Sequence, residues 1–399
     1  MKRNVQKILL SLFSLCLLTG CWSKRELNEL AICVGLGIDK AEDGYHVTVQ
    51  IVNPGELTGR NRSGRSEVIT SRIKGETIFE ALRKLSTVSP RKIYMSHLHQ
   101  VVFGEELARE GINHALEFLA RDHEVRPDFF IAIAKGTTAY NVLKVQSALE
   151  NIPVNKMYNA LDNSERSWSV TKTVKLDEVI NSKISKGKQG VLTAIHLEGD
   201  PEQGSDFSVV QQSTPETYFH IGELGVLKGE KLIGWLTDDE SKGFNYITNN
   251  VYNTLVTTPC QDGKISIETI RSETDIKSKM KKGKPHFDIT LTTEGNIGEV
   301  LCDVDLQNPE TIKKIEQRYE AEIKDKITKA IDRIKNDLHS DIFGLGEVLH
   351  ISDPKAWHEL ESDWDEHLQD INVTVHVNAE LRRLGNIINS YQNDHGGVE

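Results

Sequence analysis

One unbroken apolar stripe near the C-terminus constrains the fold more than any other stretch. Asn308 and Pro309 supply a cap and a proline at the first helical position. From there Ile312, Ile315, Tyr319, Ile323, Ile327, Ile331, Ile334 and Leu338 recur at spacings of three and four. That period predicts an amphipathic helix of about thirty residues whose apolar face must be covered. A coiled coil would cover it with a second helix, but strands surround it here. Segments 219–227 and 231–236 flank a Lys228-Gly229-Glu230 turn, and further strands are expected near 264–273, 286–293 and 371–377. The reading is a long helix lying across an antiparallel sheet, with shorter helices over 239–247, 341–350 and 354–369.

The first half has a different rhythm. Segments 31–39 and 45–52 read as a hairpin closed by Ala41-Glu42-Asp43-Gly44, followed by a Gly-, Arg- and Ser-rich loop over 53–66 and a strand over 67–73. Thr77 with Glu80 makes a capping box that opens a helix stopped at Pro90. A strand over 98–103, a helix over 105–120, a buried strand over 129–134 and a helix over 139–149 then alternate. Helical pieces are expected over 151–185, clearest at 174–184, and a strand over 191–196. Such alternation argues mixed α/β packing with helices on a sheet. The stretch 200–216, rich in Gly, Ser, Gln and Pro, is the expected linker between an N-terminal domain over 21–199 and a C-terminal domain over 217–390. The fold class is therefore α+β and multi-domain.

Ahead of all this lies a delivery signal. Lys2, Arg3 and Lys7 precede an apolar run from Ile8 to Leu18, the n- and h-regions of a signal peptide over 1–20. The run is shorter than the roughly 20 apolar residues that a spanning helix needs. Leu18-Thr19-Gly20-Cys21 then resembles the lipobox of bacterial lipoproteins. That resemblance implies cleavage before Cys21 and attachment of a diacylglyceryl group to its thiol. Two acyl chains hold a protein stably on a bilayer without crossing it.

The formal net charge of −11 includes the three cations of the signal, so the chain from Cys21 onward carries −14. Such a balance repels phosphate backbones and argues against nucleic acid as a partner. Two basic loops, 60–65 and 277–284, run against that average and read as solvated loops. Beyond Cys16 and Cys21, Cys33, Cys260 and Cys302 remain, without zinc spacing; a Cys260–Cys302 disulfide is open to them, with buried thiols the plainer expectation.

The search for chemistry is short. His97 and His99 fall on one face of the strand expected there but lack a third ligand. Gly35-Leu36-Gly37 lacks the third glycine of a dinucleotide loop and reads as a strand irregularity or a close backbone approach. Asp238-Asp239-Glu240 sits where a helix N-terminus attracts negative charge. Trp357 and Trp364 read as anchors of one helix on its sheet. No nucleophile, P-loop, zinc or paired-acid motif appears, so no catalytic residue, cofactor or metal ligand is expected.

Several stretches together resemble the Ger(x)C family, the C-subunit lipoproteins of spore germinant receptors. They are Gly20-Cys21-Trp22, Arg25 to Leu30, Gly35 to Asp39, Val47 to Pro54, Phe79 to Ser86, Pro90 to His97, Gly104 to Gly111, Gly225 to Leu236, Asp341 to Gly346 and Trp357 to Trp364. The resemblance implies an unusual α+β architecture, with room for the N-terminal half to divide in two. It also implies a polytopic A subunit and a transporter-like B subunit as partners, and a place on the extracytoplasmic face of the spore inner membrane. The implied role is a non-enzymatic part in triggering germination by nutrients. The alternative is a solute-binding lipoprotein of a transporter, which would show two similar α/β lobes.

Overall fold

A computed structural model describes residues 4–5, 29–53, 56 and 66–383. Cys21, the signal and most of the loop over 53–66, including the basic 60–65, lie outside the described residues. Within them the chain builds two sheets.

The first sheet comprises β1 (Leu30–Lys40), β2 (Tyr45–Val52), β3 (Val68–Gly75), β4 (Lys92–Tyr94), β5 (Gln100–Gly104), β6 (Phe130–Ala134), β7 (Val191–Glu198), β8 (Tyr218–Lys228) and β9 (Lys231–Trp235). Its order is β3-β2-β1-β5-β6-β7-β8-β9, with β4 pairing beside the start of β1. The centre β1-β5-β6-β7 is parallel and both flanks are antiparallel. Parallel strands need covers on both faces, and the sequence supplies two kinds. On one face Val101, Phe103, Ile131 and Ile133 meet helices α1 (Ile78–Lys84), α2 (Glu105–Glu110) and α3 (Asn113–Arg121). On the other, Val102, Ala132 and Ala134 meet α4 (Ala139–Lys144) and α5 (Pro153–Ser167). The helix expected over 105–120 is two, because Gly111 takes φ 138° and turns the chain between α2 and α3. A further helix, α6 (Leu176–Ile184), packs on the first face.

The second sheet comprises β10 (Thr254–Pro259), β11 (Lys264–Lys281), β12 (Lys284–Val300) and β13 (Asn372–Arg383) in that order. Strands β10 to β12 are antiparallel, and β13 joins parallel to β12. The β11–β12 hairpin is far longer than its apolar alternation announces. Its outer half pairs residues such as Lys277 with Asp288 and Lys279 with His286, so the basic loop expected over 277–284 is mostly strand, tipped by Lys282 and Gly283 at positive φ.

The apolar stripe forms α8: helix α7 (Asp238–Ile247) comes first in the chain, and α8 is Pro309–Asp332, continued by a wider turn over Arg333–Leu338. Ile315, Tyr319, Ile323, Ile327 and Ile331 are buried against Ile265, Ile267, Phe287, Ile289 and Leu291 of the sheet. The helix also closes the sheet's edge. Glu316 and Glu320 accept hydrogen bonds from the backbone N–H groups of Leu381 and Ala379 on β13, at 3.0 Å each. Free edge donors would otherwise invite another strand.

The stretch 200–216 carries two short helical turns, Pro201–Gly204 and Phe207–Gln211. The strands on either side of it, β7 and β8, pair with each other, so the first sheet continues past it. The second core in turn reaches back to Val191, Leu224 and Val226 of that sheet.

Loop 341–346 makes the same join from the other side. Asp341 is fully buried, and its carboxylate accepts from the N–H groups of Phe343, Gly344 and Gly346 and from Nε1 of Trp364 at 2.8–3.2 Å. Burial pushes its carboxyl above the usual range, against the pull of those donors. A different buried charge sits on α7. Lys242 Nζ donates to the Leu255 carbonyl at 3.1 Å and lies 3.5 Å from the centre of the Trp168 ring. Desolvation brings its pKa down to about 8.

The Cys260 and Cys302 thiols, expected to be free, form a disulfide across 42 residues, and Cys33 is free and buried. The register explains it: β10 ends at Pro259 and β12 at Val300, both beside the start of β11, so the next residues of the two strands meet.

Three outcomes follow for denaturant unfolding. Asp341→Ala orphans four buried donors and should cost about 4 kcal/mol, with Asp341→Asn losing less. Cys260→Ala with Cys302→Ala should cost about 4 kcal/mol in the chain-entropy account. For Lys242 the folded pKa lies below the unfolded one, so stability is withheld below pH 8 and recovered as pH rises toward the ordinary lysine value of 10.5. Relative to Lys242→Met, the parent chain should gain up to about 3 kcal/mol across that window.

Candidate functional site

The residues that carry chemistry in other proteins are here spent on framework. Gly35 and Gly37 lie in β1, where a Cβ on Gly35 would come 2.4 Å from Val154 and one on Gly37 2.7 Å from Leu143. The strand irregularity falls between Cys33 and Gly35. The irregularity reading therefore holds at Gly35, whereas what comes close to the glycine pair is not another backbone but side chains of α4 and α5, which the missing Cβ atoms let seat on the sheet. Asp39 completes the seat: its carboxylate accepts from Ala139 N at 2.7 Å and Tyr140 N at 3.1 Å, at the first turn of α4. From β2, Gln50 donates to the Leu143 carbonyl and accepts from Val154 N.

His97 and His99 are not on a strand. They precede β5 and diverge: His97 is exposed with its ring beside Tyr94, and His99 Nδ1 bonds the Asn155 carboxamide at 2.8 Å. Asp238, Asp239 and Glu240 form the first turn of α7, capped reciprocally by Thr237 and Glu240. Asp239 reaches Lys326 and Lys329 of α8, which hold its carboxyl below the usual range although burial pulls upward. Trp357 and Trp364 stand edge to face at 5.3 Å but belong to separate helical segments broken over Glu361–Asp363. The break lets Trp364 turn its Nε1 to Asp341.

One cluster has no linear motif. His196 and His220 are cross-strand partners on β7 and β8, their rings stacked at 4.7 Å. His196 Nε2 bonds Glu223 at 2.7 Å, and Lys135 also reaches Glu223. Burial and the neighbouring His220 hold His196 below the usual imidazole range. Strand register alone brings these groups together, a signal that a linear sequence does not carry. Among the described residues no group of three or more His, Cys, Asp or Glu is placed to hold a metal ion. The Cys33 thiol donates to the Gly35 carbonyl, and burial pushes its pKa up to about 12, which removes it as a nucleophile.

What remains is surface, and its best-defined landmark is where the chain emerges. Leu30, Ala31 and Ile32 pair in parallel with Lys92, Ile93 and Tyr94, so the start of β1 lies beside the loop that precedes β4. No helix among the described residues is long and apolar enough to cross a membrane.

Residues 23–197 match the family described as "Spore germination protein N-terminal domain", and residues 222–385 match "Spore germination B3/ GerAC like, C-terminal". "Spore germination protein KC" of Bacillus subtilis (strain 168) is 30% identical over 395 residues, covering 96% of this chain and 97% of that protein. "Spore germination protein B3" of the same organism is 22% identical over 397 residues, covering 96% and 99%. The solved structure titled "Crystal Structure of the GerBC protein" shares the fold, with a TM-score of 0.54 over 87% of this chain and 96% of that chain at 19% identity. Two family modules in order, spanning nearly the whole described body, place this chain in the Ger(x)C family of spore germination proteins.

Proposed function

We propose that this chain is the lipid-anchored, non-enzymatic C subunit of a nutrient germinant receptor. Cys21 holds it on the extracytoplasmic face of the spore inner membrane, beside a polytopic A subunit and a transporter-like B subunit. The observation that carries the reading is the full-length likeness to a spore germination protein, in a chain whose residues 1–21 resemble a signal peptide followed by a lipobox. Each part of the body then has a physical purpose. Tethering confines the protein to the plane of its partners and raises its effective concentration there. A compact body docked on extracytoplasmic loops shifts their closed-to-open equilibrium by its difference in affinity for the two states. The framework roles of Asp39, Asp341 and the glycine pair support a body that acts by binding, as does the unreactive Cys33.

Replacing Cys21 with Ala should move the protein out of the membrane fraction. Loss of confinement lowers its effective concentration by on the order of 100-fold, so the nutrient response should fail at native expression. A normal response with the soluble variant at native levels would overturn the tethering role. Titration of the lipid-free body with amino acids, sugars and nucleosides should give no heat beyond dilution. Saturable binding by this chain alone would instead favour a solute-binding lipoprotein.

A further inference from the structure

The body is acidic, yet residues 81–104 contain Arg83, Lys84, Arg91 and Lys92 and no Asp or Glu. Lys84 pairs with Glu80 and Lys92 with Glu124, whereas among the described residues neither Arg83 nor Arg91 has a carboxylate within ion-pair distance. Arg83 lies instead over the ring of Phe79, 4.7 Å from its centre. Between the two cation pairs runs the loop 85–91, and its chemistry is unusual for a solvated turn. Ser86, Thr87 and Ser89 turn their hydroxyls back onto the carbonyls of Arg83, Lys84 and Arg91 at 2.6–2.8 Å. Val88 and Ser89 donate their N–H groups to the Leu85 carbonyl. Three hydroxyls and several N–H groups of the turn are thus paired within or next to it, and Val88 is left at the tip, 65% exposed, with Phe79 49% exposed. Beside it opens a groove of about 450 Å³ lined by Leu82, Ile93 and Met95, with Arg83, Lys92 and Arg121 and the carboxylates of Asp122 and Glu124 also in its wall.

An exposed apolar tip with part of its backbone paired internally, flanked by Arg83 and Arg91 without carboxylate partners among the described residues, is suited to the interface of an anionic bilayer. Its place in the fold matters as much. Lys92 pairs with Leu30, so the loop sits where the described body begins, and only eight residues, nine residue steps, separate Leu30 from Cys21. At full extension those residues span roughly 30 Å. The tether therefore keeps this loop, by construction, within reach of the surface to which Cys21 is fastened.

We propose that the loop 85–91, with Phe79 and its flanking cations, is the membrane seat of the body and sets its orientation on an anionic bilayer. This rests on the lipid-anchor reading of Cys21. The other basic feature, the β11–β12 hairpin tip with Lys281, Lys282 and Lys284, has no such link to the start of the chain and serves as the control.

Cys33 is buried and Cys260 is bonded to Cys302, so an introduced thiol can be labelled selectively on the lipid-modified full chain. Val88→Cys and, separately, Lys282→Cys would carry an environment-sensitive fluorophore in vesicles of phosphatidylglycerol and phosphatidylcholine containing brominated lipids. The probe at 88 should shift to the blue and be quenched several-fold more than the probe at 282. Pure phosphatidylcholine should weaken that contrast, and so should Arg83→Gln with Arg91→Gln, each cation being worth about fivefold in surface partitioning. Flotation of the same samples tests the anchor separately: protein that fails to float fails that reading. Protein that floats with a water-like probe at 88 overturns the seat. Quenching at 282 instead, or burial of 88 only when membrane partner subunits are added, also overturns it, the latter in favour of a protein contact.

Discussion

One buried carboxylate holds the two halves of the molecule in register. Asp341 gathers three backbone donors and the Trp364 indole, and so shapes loop 341–346. That loop reaches the first half through backbone: Gln189 N donates to the Asp341 carbonyl at 2.7 Å, and the neighbouring Ser340 hydroxyl donates to the Leu227 carbonyl at 2.8 Å. Gly187 and Gly346 pass so closely that a Cβ on Gly346 would sit 2.6 Å from Gly187 Cα. Contacts of this kind tolerate no side chain and little displacement. With β7 paired to β8 across the 200–216 stretch, the two family modules share one sheet and one core, so an orientation imposed at one end is carried to the other.

How far the fold could be read in advance depends on how each element is buried. Helix α8 was legible because one side of it is buried along its whole length, which writes a helical period into the sequence. Strands β1 and β2 are buried on both faces, and β2 was legible because its apolar residues Val47, Val49 and Ile51 alternate with polar ones that are buried as well, such as Thr48 and Gln50. The outer half of the β11–β12 hairpin was not, since Lys277, Lys279 and Lys281 are strand residues that meet no core, and a run of charge without apolar partners reads as a loop. β10 was missed because Thr254, Val256 and Thr258 supply its buried face and two of those three are polar. The disulfide and the His196–His220 pair depend on register, which links residues 42 and 24 apart in ways no local spacing encodes. The candidate site divides the same way. Cys21 stands out through its local context, whereas the position of loop 85–91 beside the chain's start follows only from the β1–β4 pairing.

The residues that carry the family likeness gain a physical explanation from this architecture. Gly35, Gly37, Asp39 and Gln50 all act on α4 and α5, while Asp341, Gly346, Trp357 and Trp364 all act on the joint between halves. A protein that worked through a pocket would concentrate its special residues around a cavity. Here they are spent on fixing helices against strands, which is compatible with the proposed role of a body that presents a surface to its partners.

Electrostatics then decides which surface can face a membrane. A chain of charge −14 beyond its signal is repelled by an anionic bilayer on most of its faces, and that repulsion decays over roughly 10 Å at ordinary ionic strength. On the proposed anchor at Cys21, the chain up to Leu30 reaches at most roughly 30 Å, so the start of β1 stays near the bilayer without being held inside one screening length. On the proposed anchor, that repulsion favours turning toward the bilayer the loop 85–91, where Arg83 and Arg91 have no carboxylate at ion-pair distance among the described residues, while Glu80, Asp122 and Glu124 stand near the other cations. Because loop 341–346 and the β7–β8 pairing lock the second half to the first, an orientation set at loop 85–91, as proposed, would be carried to the whole described body.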